Sequence, residues 1–137
     1  MKAKIEKPDN RRFISSGDGV PKSASPISQA VVVANTCYAS GQLPVDLDGV
    51  LRVSSIEEQV RLAFQNLVAV TRAAGFQLRD IVYVDVALTD IRDVEKVNSL
   101  FAQIFPAECR PARTVYQVAA LPLGSRIKFQ AIASRDS

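Results

Sequence analysis

Pro111-Ala112-Arg113-Thr114-Val115-Tyr116-Gln117-Val118 is the stretch on which the fold turns. A proline opens it and β-branched and aromatic residues follow, so it predicts a strand displaying Arg113 near its start. The run breaks at Leu121-Pro122-Leu123-Gly124 and resumes as a second strand, Ile127-Lys128-Phe129-Gln130-Ala131-Ile132. Alternation puts Ile127, Phe129, Ala131 and Ala133 on one side of that strand, with Arg126, Lys128, Gln130 and Ile132 on the other. On the preceding strand Arg113, Val115, Gln117 and Ala119 share a side.

Working back toward the start, Asp80 to Asp90 reads as a strand with Val82, Val84, Val86 and Leu88 on one apolar face. Ile81, Tyr83, Asp85 and Ala87 make its mixed face. Two helices flank it. The first is signalled by Ser54 and Ser55 as caps, Glu58 at capping-box spacing, and an apolar stripe of Val60, Ala63, Phe64, Leu67, Val70 and Ala74. Gly75 supplies its left-handed stop. The second starts near Asp93, carries Val94, Val97, Leu100, Phe101, Ile104 and Phe105, and ends at Pro106. Ahead of both, Ala30 to Ala34, a turn at Asn35-Thr36, and Cys37 to Gly41 predict a hairpin. Residues 1–24 read as tail and loop, with a possible short edge strand at Phe13-Ile14-Ser15, and residues 25–137 as the folded domain.

The order β-β-α-β-α-β-β implies an α+β domain with both helices packed on one face of a sheet. The other face is part polar and part apolar, and two readings of it stay open. A monomer would solvate it. An oligomer would bury it and form clefts between subunits, which the tyrosine and β-branched content favours.

Composition limits the chemistry. The chain of 137 residues is one domain with 47% apolar and 23% charged residues, the balance of an ordered globular protein. Its net charge of +3 comes from scattered basic residues with few aromatics, which argues against nucleic acid. No apolar run approaches the ~20 residues of a membrane span, and no apolar segment follows the N-terminal lysines, so a cytoplasmic setting is expected. Cys37 and Cys109 are then free thiols. The sequence contains no histidine, which removes His-based triads and most zinc or iron sites, and no phosphate-binding glycine motif occurs.

Six segments resemble, in order and spacing, the reactive intermediate deaminase (Rid, or YjgF-like) family. They are Ser28-Gln29-Ala30-Val31, Ser40-Gly41-Gln42-Leu43-Pro44, Asn66-Leu67 in the first helix, Val97-Asn98, Pro111-Ala112-Arg113-Thr114 and Ala131-Ile132-Ala133. The resemblance implies a chorismate-mutase-like fold, a homotrimer with clefts between subunits, and no metal or organic cofactor. It implies hydrolysis of an enamine or imine bearing a carboxylate, such as 2-aminoacrylate, to a keto acid and ammonia. It assigns Arg113 to the substrate carboxylate, a role that suits a planar fork of donors. Ser40 and Gly41, read as a turn, line the cleft floor, Asn98 is a cleft residue, and backbone N–H groups at Thr114 and Val115 orient the substrate.

The chain departs from the family pattern at three of these places. Ile27 stands where active members carry tyrosine, and Val115 where they carry cysteine. Lys128, fifteen residues after Arg113, stands where they carry the glutamate that activates water, and Gln130 follows it. No catalytic residue is therefore assigned. Lys128 has three readings: a solvated strand residue, a second cation across the cleft from Arg113, or a base of lowered pKa. The second would suit a dicarboxylic enamine such as 2-aminomuconate. The competing function is a non-catalytic trimer that binds small keto or amino acids. RNA binding or cleavage is a weaker third.

Overall fold

A computed structural model describes residues 4–6 and 10–136. Six strands form one sheet: β1 (Arg11–Ile14), β2 (Ala30–Val33), β3 (Thr36–Gln42), β4 (Ile81–Leu88), β5 (Ala112–Gln117) and β6 (Ile127–Ser134). Two helices, α1 (Ile56–Ala73) and α2 (Val94–Ile104), complete the α+β fold. The order across the sheet is β1-β2-β3-β6-β4-β5. All neighbours are antiparallel except β4 and β5, which run parallel and are joined through α2, the crossover that parallel pairing requires. The two strands of the opening stretch are therefore not neighbours, since β6 inserts between β3 and β4.

The local signals account for the elements. Ser55 caps α1, its side chain accepting from the Glu58 N–H at 3.2 Å, and Gly75 takes φ +90° just past the helix end. The hairpin forms with Ala34 in the left-handed region at its turn. Phe13-Ile14 belong to the expected edge strand, which begins two residues earlier, at Arg11. The expected tail at residues 1–12 lies partly outside the described residues, and Arg11 and Arg12 are strand.

One expectation fails at the start of β4. Ile81 is buried and Val82 is 46% exposed, the reverse of the alternation expected there. The β4–β6 register slips between Ile81 and Tyr83, and the extra residue flips the face of everything before it. From Val84 onward the alternation holds, with Val84, Val86 and Leu88 all buried.

The core lies between the helices and the sheet. Phe64 of α1 meets Phe101 of α2, Phe105 just past that helix and Phe129 of β6 edge-on, with centroids 5.3–5.9 Å apart. Asn66 is buried on α1, and its amide donates to the carbonyls of Leu43 and Val45, both at 2.9 Å, which fixes the loop after β3. At the far end of α1, Arg12 donates to the Ala74 carbonyl at 2.8 Å, and Arg135 donates to that of Gly75 while stacking 4.2 Å over Phe76. Two arginines distant in sequence thus satisfy the free carbonyls of one helix terminus.

Candidate active site

Arg113 is held on two sides. Its Nη2 donates to Asn98 Oδ1 at 2.7 Å, and its guanidinium carbon lies 5.1 Å from the Phe101 ring centre. Asn98 and Phe101 are both on α2, so one helix sets the direction of the guanidinium, and the aromatic cluster sets Phe101. Burial pushes the Arg113 pKa down, but a guanidinium keeps its charge. Among the described residues its side-chain partner is a neutral amide, not a carboxylate. A half-buried cation without a counter-charge is poised for an anion.

Register decides which residues share a face. Arg113 pairs with Val84, which pairs with Ala131, so Arg113 faces the helices at the edge of the sheet. Val115 shares that side and packs on the core. Lys128 pairs with Ala87, and Ala87 with Tyr116, which puts Lys128 on the open face. One chain therefore does not bring Arg113 and Lys128 together; they point from opposite faces of the sheet. The expectation of a single cleft holding both would need two copies of the chain.

Ser40, Gly41, Ile27 and Lys128 gather on the open-face side. Ser40 and Gly41 are not a turn. They sit inside β3 where its register with β6 shifts between Ala39 and Gln42, a bulge held by buried amides. Gln42 Nε2 donates to Gln29 Oε1 at 2.8 Å, Gln29 Nε2 to the Pro21 carbonyl at 2.9 Å, and Ser40 Oγ to the Ser28 carbonyl at 2.6 Å. The stem of Lys128 lies directly on Gly41. Ile27, half exposed, borders a hollow of about 260 Å³ with Gly41, Leu43 and Leu123.

Thr114 projects to the open face, where its hydroxyl and that of Tyr83 are hydrogen-bonded. Tyr116 donates to Asp85 Oδ2 at 3.5 Å, and Asp85 Oδ1 is buried with no hydrogen-bond partner among the described residues. Because β5 is an edge strand, every second N–H along it lacks a partner strand. Cys37 is buried, which raises its thiol pKa, and Cys109 is exposed in the turn before β5.

Sequence reading overlooked Arg110. It joins Asn98, Phe101, Ala102, Pro111 and Arg113 around a hollow of about 550 Å³. The signal was available three residues before Arg113, but a lone arginine in a loop reads as a solvated charge. Another concavity, about 740 Å³ between α1 and α2, has Arg61 and Arg72 beside apolar side chains, and Asp18 is its one carboxylate among the described residues. It lies apart from both clusters.

An α+β sheet with a preset guanidinium at its edge is an arrangement that known proteins share in fold. The profile described as Endoribonuclease L-PSP matches residues 19–135, and the chain belongs to that family, the YjgF/Rid family its motifs resemble. It is 41% identical over 124 residues to the human protein named 2-iminobutanoate/2-iminopropanoate deaminase, covering 90% of this chain and 89% of that one. A RutC family protein of Pyrococcus horikoshii is 35% identical over 120 residues, covering 87% and 94%. Among solved structures, RidA from an Antarctic Psychrobacter superimposes with a TM-score of 0.83 at 37% identity, covering 90% of this chain and all of that one. TdcF of E. coli with bound serine gives 0.82 at 31% identity, covering 91% and 100%.

Proposed function

We propose that this protein hydrolyses an enamine or imine bearing a carboxylate, releasing a 2-keto acid and ammonia. The observation that carries the reading is Arg113: a guanidinium aimed by Asn98 and Phe101 and left without a carboxylate partner. It binds the substrate carboxylate as a charge-assisted pair. Edge N–H groups near Thr114 and Val115 orient the substrate. Water adds to the C=N carbon to form a carbinolamine, the nitrogen takes a proton, and ammonia leaves as the C=O bond forms. The names of relatives, imine deaminases among them, support this chemistry.

The site is completed between copies. The open face exposes Phe13, Val33, Tyr38, Val82 and Tyr116, too much aromatic and aliphatic surface for a solvated sheet, and Asp85 holds a buried oxygen there without a donor. A homotrimer packed through this face brings the Ser40-Gly41-Lys128 cluster of one copy toward the Arg113 edge of the next. Light scattering tests it: the expected mass is three times the 14.9 kDa chain. Lys128 then faces the cleft as a cation rather than as a water-activating carboxylate. In that position it would also suit a dicarboxylic enamine of the 2-aminomuconate kind. No helix among the described residues is long and apolar enough to cross a membrane, in keeping with action on small molecules in the cytoplasm.

The second reading, a trimer that binds keto or amino acids without catalysis, is favoured by one feature, the lysine at position 128. The two separate in one assay. Imines are generated in situ by an amino-acid oxidase and ammonia release is followed with wild type and Arg113→Ala. Acceleration lost in the variant supports the deaminase. Keto-acid binding with no acceleration supports the carrier.

A further inference from the structure

We propose that Arg110 is a second anion anchor beside Arg113, and that the preferred substrates are 2-imino dicarboxylates of four or five carbons. The reaction named here rests on the deaminase reading above; the binding preference does not.

The argument is electrostatic and local to one chain. The hollow in front of Arg113 is lined by Asn98, Phe101, Ala102, Arg110, Pro111 and Arg113. Two arginines line it, and among the described residues no carboxylate does. Arg110 forms no salt bridge among the described residues; its Nε donates to the Phe105 carbonyl at 3.4 Å, which leaves its terminal nitrogens for a ligand. A monocarboxylate neutralises one of these charges and leaves the other facing it unpaired. A dicarboxylate neutralises both, each through a planar fork of donors.

The backbone fixes the spacing. Arg110 is extended, with φ −74° and ψ 138°, as a residue before proline must be, and the Pro111 ring limits the next φ. Three residues of chain hold the two Cα atoms at most ~10 Å apart, and both residues line the one hollow, a span that suits the ends of a short diacid. The Lys128 of the same chain does not supply this second charge, because it projects from the opposite face of the sheet.

Calorimetric titration with 2-oxoglutarate and with 2-oxobutanoate tests the assignment. Wild type is expected to bind the diacid at least tenfold more tightly. Arg110→Ala should bring the affinity ratio close to one, and Arg110→Lys should recover part of it. Circular dichroism of each variant confirms folding, which an exposed loop side chain leaves intact. Equal affinities in wild type, no measurable binding of either acid, or a ratio unmoved in Arg110→Ala would each overturn the proposal. Hydrolysis of imines generated from glutamate and from 2-aminobutanoate is followed in parallel. A diacid preference in binding with no ammonia release from either imine sinks the deaminase reading alone and leaves the anchor standing.

Discussion

Lys128 lies along Gly41 so closely that a methyl group at position 41 would come within 2.7 Å of the lysine Cδ. The absence of a side chain at 41 is what lets the stem lie flat and directs the ammonium. Gly41→Ala should cost less than about 1 kcal/mol of stability, because a flexible lysine stem can move aside. It should nonetheless shift keto-acid affinity several-fold by re-aiming the charge. Denaturant unfolding and ligand titration on the same variant check both halves.

Asn98 aims Arg113 through the one side-chain hydrogen bond the guanidinium makes among the described residues. Asn98→Ala should leave the fold intact, since Asn98 is exposed on α2. It should lower kcat/KM by roughly 10- to 100-fold, the equivalent of losing one hydrogen bond to a charged group, about 1.5–3 kcal/mol. Steady-state ammonia release measures it. An unchanged kcat/KM would show that Phe101 alone holds the guanidinium.

Asn66 should behave in the opposite way, as a stability residue. Asn66→Ala strands the Leu43 and Val45 carbonyls and removes a buried amide, so it should cost about 3 kcal/mol. The urea midpoint should fall with the slope unchanged, because the surface exposed on unfolding is nearly the same.

Asp90 sets an acid limit. Its carboxylate accepts from the Arg92 guanidinium and the Arg92 N–H, which hold its pKa down at about 2 from 3.8. The folded value is the lower one, so its contribution is full above about 3.8 and is lost as pH falls toward 2. Asp90→Asn should flatten the stability profile between those two values, and the Asp90 carboxyl titration followed by NMR should have its midpoint near 2.

Much of the fold was legible in the sequence because local chemistry and tertiary demand agree. Ser55 with Glu58 caps α1, and its apolar stripe is the buried one. What escaped depends on pairing rather than on pattern. The bulge between Ile81 and Tyr83 swaps two side chains, and no residue there announces it. The insertion of β6 between β3 and β4 decides that Arg113 and Lys128 point from opposite faces, a fact invisible to either strand's own alternation. Arg113 was legible because proline and a strand frame it. Arg110 was not, because its meaning lies in a shared hollow.

The arginines on the end of α1 have a practical consequence. Arg12 on β1 and Arg135 just past β6 both reach that helix end, so the chain enters and leaves the fold at one corner. β1 is one edge of the sheet and β5 the other, five inter-strand spacings away, or about 24 Å. A fluorescent domain or surface tether attached at β1 is therefore joined to the edge of the sheet opposite the one that carries Arg113. Immobilisation through β1 leaves the strand that carries Arg113 on the other edge of the sheet.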